Sequence, residues 1–113
     1  MIFQVKRGTI TIPTSDTVTV GTSTEIIDGM LGHLVVSVPA LEGTGTATIL
    51  GTESLGGTIY ASTAKDESTI GMIAPVGTPT YFSGTLKLTA TANGTQSAAR
   101  NITYNLYFGA KQG

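Results

Sequence analysis

Cysteine is absent from this 113-residue chain, histidine occurs once, and aromatic residues make up only 6% of it. Without cysteine the chain has no disulfide framework, no thiolate nucleophile and no cysteine-based zinc site. Charged residues are also scarce, at 12% of the chain against the usual share of roughly 25%. The formal net charge is −1, and no cationic stripe is available to neutralise phosphates, so we expect no nucleic-acid partner.

Long hydrophobic runs are missing as well. The first seven residues form no apolar run of signal-peptide length, and no later segment approaches the roughly 20 apolar residues of a membrane span. We therefore expect no membrane partner and no export through the general secretory route.

The length indicates one domain over residues 1–113, with residues 1–7 as a candidate extended N-terminal arm and 109–113 as a candidate C-terminal tail. The dominant pattern lies at 84–108. Apolar and polar residues alternate over 85–92 and again over 100–108, separated by an Asn-Gly-containing connection at 93–99. A period of two with one apolar face predicts two half-buried strands, here interpreted as a closing hairpin that needs a second layer to cover it.

Similar alternation precedes this hairpin. Residues 9–12 and 17–20, joined by the turn formers of 13–16, predict another hairpin with a shared core face. The residues assigned to that face are Ile10, Ile12, Val18 and Val20. Residues 21–32 lack a period of two and are interpreted as a helical turn or a loop. Residues 33–38 are a dense β-branched run that predicts a central strand.

Further short runs at 46–50, 58–62 and 70–74 complete a spacing of about 8 to 12 residues between strands. No stretch shows an apolar period of 3.6 long enough for a full helix. The sequence therefore predicts an all-β fold: a single-domain antiparallel β-sandwich, jelly-roll or immunoglobulin-like, of about 7–9 short strands.

Catalytic groups are few. His33 is the only histidine available to a nucleophile–base pair, and it is interpreted as a solvated strand-end residue. Most of the acids fall in predicted loops, and the few aromatics argue against a sugar subsite between two carboxyls. These acids are Asp16, Glu25, Asp28, Glu42, Glu53, Asp66 and Glu67.

Metal and modification sites are weak candidates too. Asp28 with His33, and Asp66 with Glu67, lack the spacing of a calcium loop and are interpreted as solvated residues. The glycosylation patterns at 93–95 and 101–103 are ascribed to chance in a threonine-rich chain. Arg100 is interpreted as a surface strand end and most tyrosines as packing residues, with Tyr107 a candidate interface residue. We predict no catalytic, cofactor-binding or metal site, and no enzyme activity.

Four segments resemble those of small β-sandwich proteins of tailed bacteriophage particles, which are short, rich in threonine and glycine, free of cysteine and leaderless. They are Arg7-Gly8-Thr9-Ile10-Thr11-Ile12-Pro13, Thr17-Val18-Thr19-Val20, Leu34-Val35-Val36-Ser37-Val38 and Thr103-Tyr104-Asn105-Leu106-Tyr107-Phe108. The likeness is one of strand and turn pattern over most of the chain, and it implies no catalytic residues.

The resemblance implies a bacteriophage virion structural protein, assembled in the host cytoplasm. The expected role is capsid decoration (cement) on the exterior of the head. The expected partners are the major capsid protein and copies of the chain itself, as a cyclic homo-oligomer with a trimer as one option. The alternatives are a tail or fibre module that contacts the host surface, with carbohydrate as one candidate ligand, and a small hydrolase using His33, Asp28 and Glu67.

Overall fold

The computed structural model describes residues 2–14, 19–43, 45–76 and 81–110, and within these ranges the regular structure is entirely strand. All pairings between the strands are antiparallel. The strands are β1 (Ile2–Ile12), β2 (Val20–Val38), β3 (Thr46–Thr52), β4 (Thr58–Ala61), β5 (Lys65–Asp66), β6 (Thr69–Ile73), β7 (Tyr81–Ala92) and β8 (Arg100–Ala110). The predicted all-β, antiparallel β-sandwich is confirmed.

The long strand β2 organises the sheet. The strand order is β1-β8-β2-β7-β3-β4, with β6 pairing β2 and β5 pairing β3 off this path. The first part of β2, Val20 to Met30, pairs with β7, whereas residues from Gly29 onwards pair with β8 and then also with β6. The strand therefore belongs to two layers: β1, β8, β6 and the second half of β2 form one, and β7, β3, β4 and its first half form the other.

The core lies between these layers. In β7, and in β8 from Arg100 to Phe108, the buried residues are those at even positions, as the alternation predicts. Strand β1 packs against β2 and β7 without pairing with either, as expected of strands in facing layers. The largest fully buried side chains include Tyr60, Ile10, Ile49, Leu86 and Leu106.

Among the described residues, neither predicted hairpin forms. Strand β1 pairs with β8 along its full length, with Ile10 opposite Ile102, and β7 and β8 lie in different layers. The proposed strand at 17–20 falls partly outside the described residues, as do Asp16 and Val18. Val20 itself is exposed rather than in the core. Alternation identifies the buried face of a strand but carries no information about its neighbour.

The prediction of irregular structure at 21–32 is also wrong, because these residues form the first part of β2. Two glycines explain the missing pattern. A Cβ at Gly21 would collide with the backbone carbonyl of Thr11 in β1, and one at Gly29 would collide with the carbonyl of Gly109. Glycine is required at both positions because two backbones approach each other there.

The candidate arm at 1–7 is described from Ile2 onwards, where it forms the start of β1 opposite the end of β8. Of the candidate tail, Gly109 and Ala110 end β8, and residues 111–113 lie outside the described part of the chain. No helix among the described residues is long and apolar enough to cross a membrane.

Candidate functional site

The residues considered for catalysis are dispersed over the surface. His33 is exposed in the middle of β2, and Asp28, also exposed, accepts a hydrogen bond of 2.6 Å from the hydroxyl of Tyr81. That hydrogen bond raises the pKa of Tyr81. Glu67, in the turn between β5 and β6, faces the backbone amide of Leu41 at 3.4 Å. Within the described ranges, no group of three or more histidine and acidic side chains is arranged to hold a metal ion.

A polar network lies between the layers at Tyr104. Its hydroxyl donates a hydrogen bond of 2.5 Å to the carboxylate of Glu25 and lies 3.0 Å from the Ser23 hydroxyl. Burial, followed by the bond to Glu25, raises the pKa of Tyr104 to about 12. The same hydroxyl covers Gly8, where a Cβ would collide with it. The network joins β8 to the first part of β2, and we interpret it as a structural link across the layers.

A second polar cluster connects the loop after β2 to the loop before β8. The Glu42 carboxylate accepts hydrogen bonds from the Ser97 amide and hydroxyl, and it lies 3.7 Å from the Arg100 guanidinium. These hydrogen bonds, the backbone one first, lower the pKa of Glu42. The buried Gln96 side chain accepts from the Glu42 amide at 2.9 Å. These side chains bond to one another and to the loop backbone, so the cluster links the two loops without requiring a ligand.

The most distinctive surface is apolar and lies on the outside of the β1-β8-β2-β6 layer. Strand register places its residues in rows: Phe3, Gly109 and Met30; Val5 and Tyr107; then Asn105, Val35 and Met72. Ile70 follows one row further along β6. We call this the outer apolar face, made of Phe3, Val5, Met30, Val35, Ile70, Met72 and Tyr107. Phe3 is 86% exposed, Ile70 74% and Met72 61%, which is unusual for such large side chains close together.

A groove of about 330 Å³ runs through this face. Its walls include Phe3, Met30, Val35, Met72 and Tyr107, and among the described residues that line it His33 is the only histidine and no acidic side chain is present. Gly109 separates Phe3 from Met30 in the register and contributes no side chain, which leaves a depression beside the Phe3 ring. The groove therefore offers an apolar socket with few polar groups, suited to an apolar side chain and poorly suited to a sugar or a charged substrate.

The core supports the floor of the groove. Gly32, which lines it, lies in the β-bulge where the register of β2 against β8 shifts between Leu31 and Leu34. The fully buried Tyr60 of β4 donates a hydrogen bond of 2.6 Å to the Gly32 carbonyl. Burial raises the pKa of Tyr60, so this hydroxyl remains a donor. The bulge that shapes the groove is thus held in place from the interior.

The outside of the other layer is covered mainly by threonine. Thr22 lies opposite Thr89, and Thr48 lies opposite Thr91, all with side chains directed away from the core. Lys87 and the exposed apolar side chains of Val20, Ile26 and Leu50 interrupt this surface. β-Branched hydroxyl side chains fit a pleated surface and remain hydrated, so the threonine part of this face is compatible with solvent.

Sequence reasoning identified one member of the outer apolar face, Tyr107, as an interface candidate and missed the others. A signal for them exists, because Val35 lies between the core residues Leu34 and Val36, and Tyr107 lies before the buried Phe108. A strand that is apolar at both odd and even positions is expected to be covered on both faces.

No protein-family model matches this chain, and no curated protein is similar to it in sequence. Among solved structures, it is similar to a chain of the cryo-EM structure of the extra small virus (XSV) VLP from the giant freshwater prawn Macrobrachium rosenbergii. The sequence identity is 11% and the TM-score 0.36, over 97% of this chain and 81% of that chain. A similarity at this level assigns neither a family nor a function.

Proposed function

We propose that this chain is a structural protein of a virus particle, without enzyme activity. The observation that carries the proposal is the contrast between its two outer surfaces. The other face is mainly threonine with Ile26 as its most exposed apolar side chain, whereas the outer apolar face exposes Phe3, Ile70 and Met72 close together, which favours burial against another protein. A protein of this kind would bind other proteins through the outer apolar face and keep the threonine face in water, as in a component of a virus particle's protein shell.

The distribution of ionisable groups supports a passive role. Asp28, Glu42 and Tyr104 are each engaged in hydrogen bonds that join parts of the fold, and His33 stands alone in the groove. A catalytic site brings such groups together around a reacting atom. Cations are also sparse on the outer apolar face, with Arg7 in β1 beside it, so a nucleic-acid partner is not favoured.

More specifically, we propose the head of a tailed bacteriophage, with the chain bound to the capsid exterior as a decoration protein. The outer apolar face and the unpaired edge of β1 would contact the major capsid protein and further copies of the chain, in a cyclic oligomer such as a trimer. Many identical weak contacts on a lattice add up to strong attachment.

Particles purified from a culture that produces this protein test the proposal. Mass spectrometry should detect the chain at a fixed ratio to the major shell protein, and cryo-electron microscopy should place it on the head. Density confined to the tail tip would favour the tail or fibre alternative over decoration. Absence of the chain from purified particles would overturn the proposal.

A further inference from the structure

The outer apolar face carries both a projecting side chain and a depression that could accept one. Phe3 projects from β1 with 86% of its surface exposed, so it does not fill the groove beside it. The groove lies across Gly109 from Phe3, with Tyr107 and Met72 among its walls. A surface that contains both elements is complementary to another copy of itself, and no other partner is needed to explain the exposed ring.

From this geometry we propose that Phe3 of one copy occupies the apolar groove of a second copy. The inference rests on the proposed structural role, since it names the partner of the same face. In the pair, the ring would leave water and contact the Met72 and Tyr107 side chains of its neighbour. Contacts between an aromatic ring and methionine sulfur add to the burial of apolar area.

The charges bordering the face permit self-association. Arg7 follows Val5 on the outward side of β1, and Asp28 precedes Met30 on the outward side of β2. Among the described residues, the face therefore has a cation at one border and an anion at another, with His33 between them. Two copies meeting through this face do not bring together two surfaces of one charge sign.

The area of the outer apolar face sets the expected affinity between two copies. The outer apolar face spans four strands spaced about 4.8 Å apart and about seven residues along each strand, with a rise of about 3.4 Å per residue. Its flat area is therefore about 450 Å². This is below the roughly 800 Å² per partner of a standard stable interface, so we expect a dissociation constant of about 10–500 μM for an isolated pair. Association would then be weak in dilute solution and reinforced in a shell.

Sedimentation velocity of the full chain at increasing concentration, up to about 1 mM, measures this association. The parent chain should form dimers or a closed ring. Phe3→Ala should raise the dissociation constant about 10- to 150-fold, the range expected for losing one buried aromatic side chain. Leu55→Ala is the matched control, because Leu55 is 94% exposed but lies in the β3–β4 turn outside the face. It should leave association unchanged.

A mixing experiment tests the proposed fit directly. Met72→Lys places a charge in the groove and should weaken self-association at least as much as Phe3→Ala does. A mixture of the two variants should associate more strongly than either alone, because the intact Phe3 of one meets the intact groove of the other. Both residues are exposed in the single chain, so neither substitution disturbs the core, and circular dichroism of each variant checks that it folds.

Methionine methyl signals give a second readout at the groove. In the chain labelled at methionine methyls, the Met30 and Met72 resonances should shift with concentration in the parent and stay fixed in Phe3→Ala. A parent chain that is monomeric at 1 mM with unshifted signals would overturn the inference, as would a mixture that fails to restore association. Neither result bears on whether the chain is present in particles, so the two proposals fail separately.

Discussion

The hydrogen bond from Tyr60 to the Gly32 carbonyl predicts a measurable loss of stability in Tyr60→Phe. Tyr60 is fully buried, and its hydroxyl lies 2.6 Å from that carbonyl. Removing only the hydroxyl keeps the ring in the core but leaves the carbonyl of the β2 bulge without this donor. A buried acceptor left unsatisfied costs about 1–3 kcal/mol, and we expect about 1.5 kcal/mol here.

This free energy converts into a melting-temperature shift. With an unfolding entropy of about 2.1 cal/mol/K per residue, the chain has about 240 cal/mol/K, so 1.5 kcal/mol lowers Tm by about 6 °C. Differential scanning calorimetry and urea unfolding of Tyr60→Phe against the parent chain measure it.

Tyr107→Phe is the matched control for that experiment. Tyr107 is 43% exposed, and its hydroxyl only accepts a long contact of 3.4 Å from the Asn105 amide, so its loss should change Tm by less than about 1 °C. If Tyr60→Phe also melts within about 1 °C of the parent, the hydroxyl does not hold the bulge, and the explanation given for the shape of the groove is refuted.

Three further predictions concern the packing and the polar links. Gly21→Ala should destabilise the fold by about 2–3 kcal/mol in urea unfolding, because its Cβ meets the β1 backbone, whereas Gly71→Ala, facing a flexible lysine side chain, should change stability by less than about 1 kcal/mol. The pKa of Tyr104 is raised from 10.0 to about 12, so its contribution to stability is complete below pH 10 and is lost as the pH rises to 12. Tyr104→Phe should lack this part of the alkaline decline in Tm, and an identical decline in both chains would contradict the assignment. The pKa of Glu42 is lowered from 4.5, chiefly by the Ser97 amide, so its contribution is present above pH 4.5 and is lost as the pH falls through the folded-state pKa. Glu42→Gln should therefore show a shallower acid decline in stability than the parent, and parallel acid unfolding curves would argue against this link.

The sequence predicted the burial of individual strands better than their arrangement. Over residues 85–92 of β7 and 100–108 of β8 the buried residues are those that the apolar period of two indicates. The pairing of β1 with β8 joins residues about 90 positions apart, such as Ile10 and Ile102. Nearby alternating runs suggest hairpins as the simplest connection, but long-range pairing depends on how whole layers close, which a local pattern does not encode.

Strand β2 was misread for a different reason. Its buried residues are at odd positions up to Leu31 and at even positions from Leu34 onwards. The bulge between them adds a residue to one side of the ladder and shifts the phase of the pattern. Two of the buried odd positions, Gly21 and Gly29, are glycines, which carry no apolar signal. A single period of two therefore fits neither the whole strand nor its first half.

The outer apolar face escaped prediction because a strand pattern is normally assigned one buried side. When the sequence pattern assigns the inward residues of β8 to the core, Tyr107 on the outward side looks like an isolated exposed residue. Only the register reveals that Phe3, Val35 and Met72 lie on the same side of neighbouring strands.

The composition of the two outer faces favours binding to other proteins through the outer apolar face. A chain with 12% charged residues has few groups with which to keep neighbouring molecules apart. On the threonine face the hydroxyl groups bind water, and the exposed apolar side chains of Val20, Ile26 and Leu50 lie among them. On the outer apolar face Phe3, Met72 and Ile70 gain free energy only by leaving water. The proposed association would therefore be favoured on one side of the sandwich, with the groove beside Phe3 as the proposed site for the ring of a second copy.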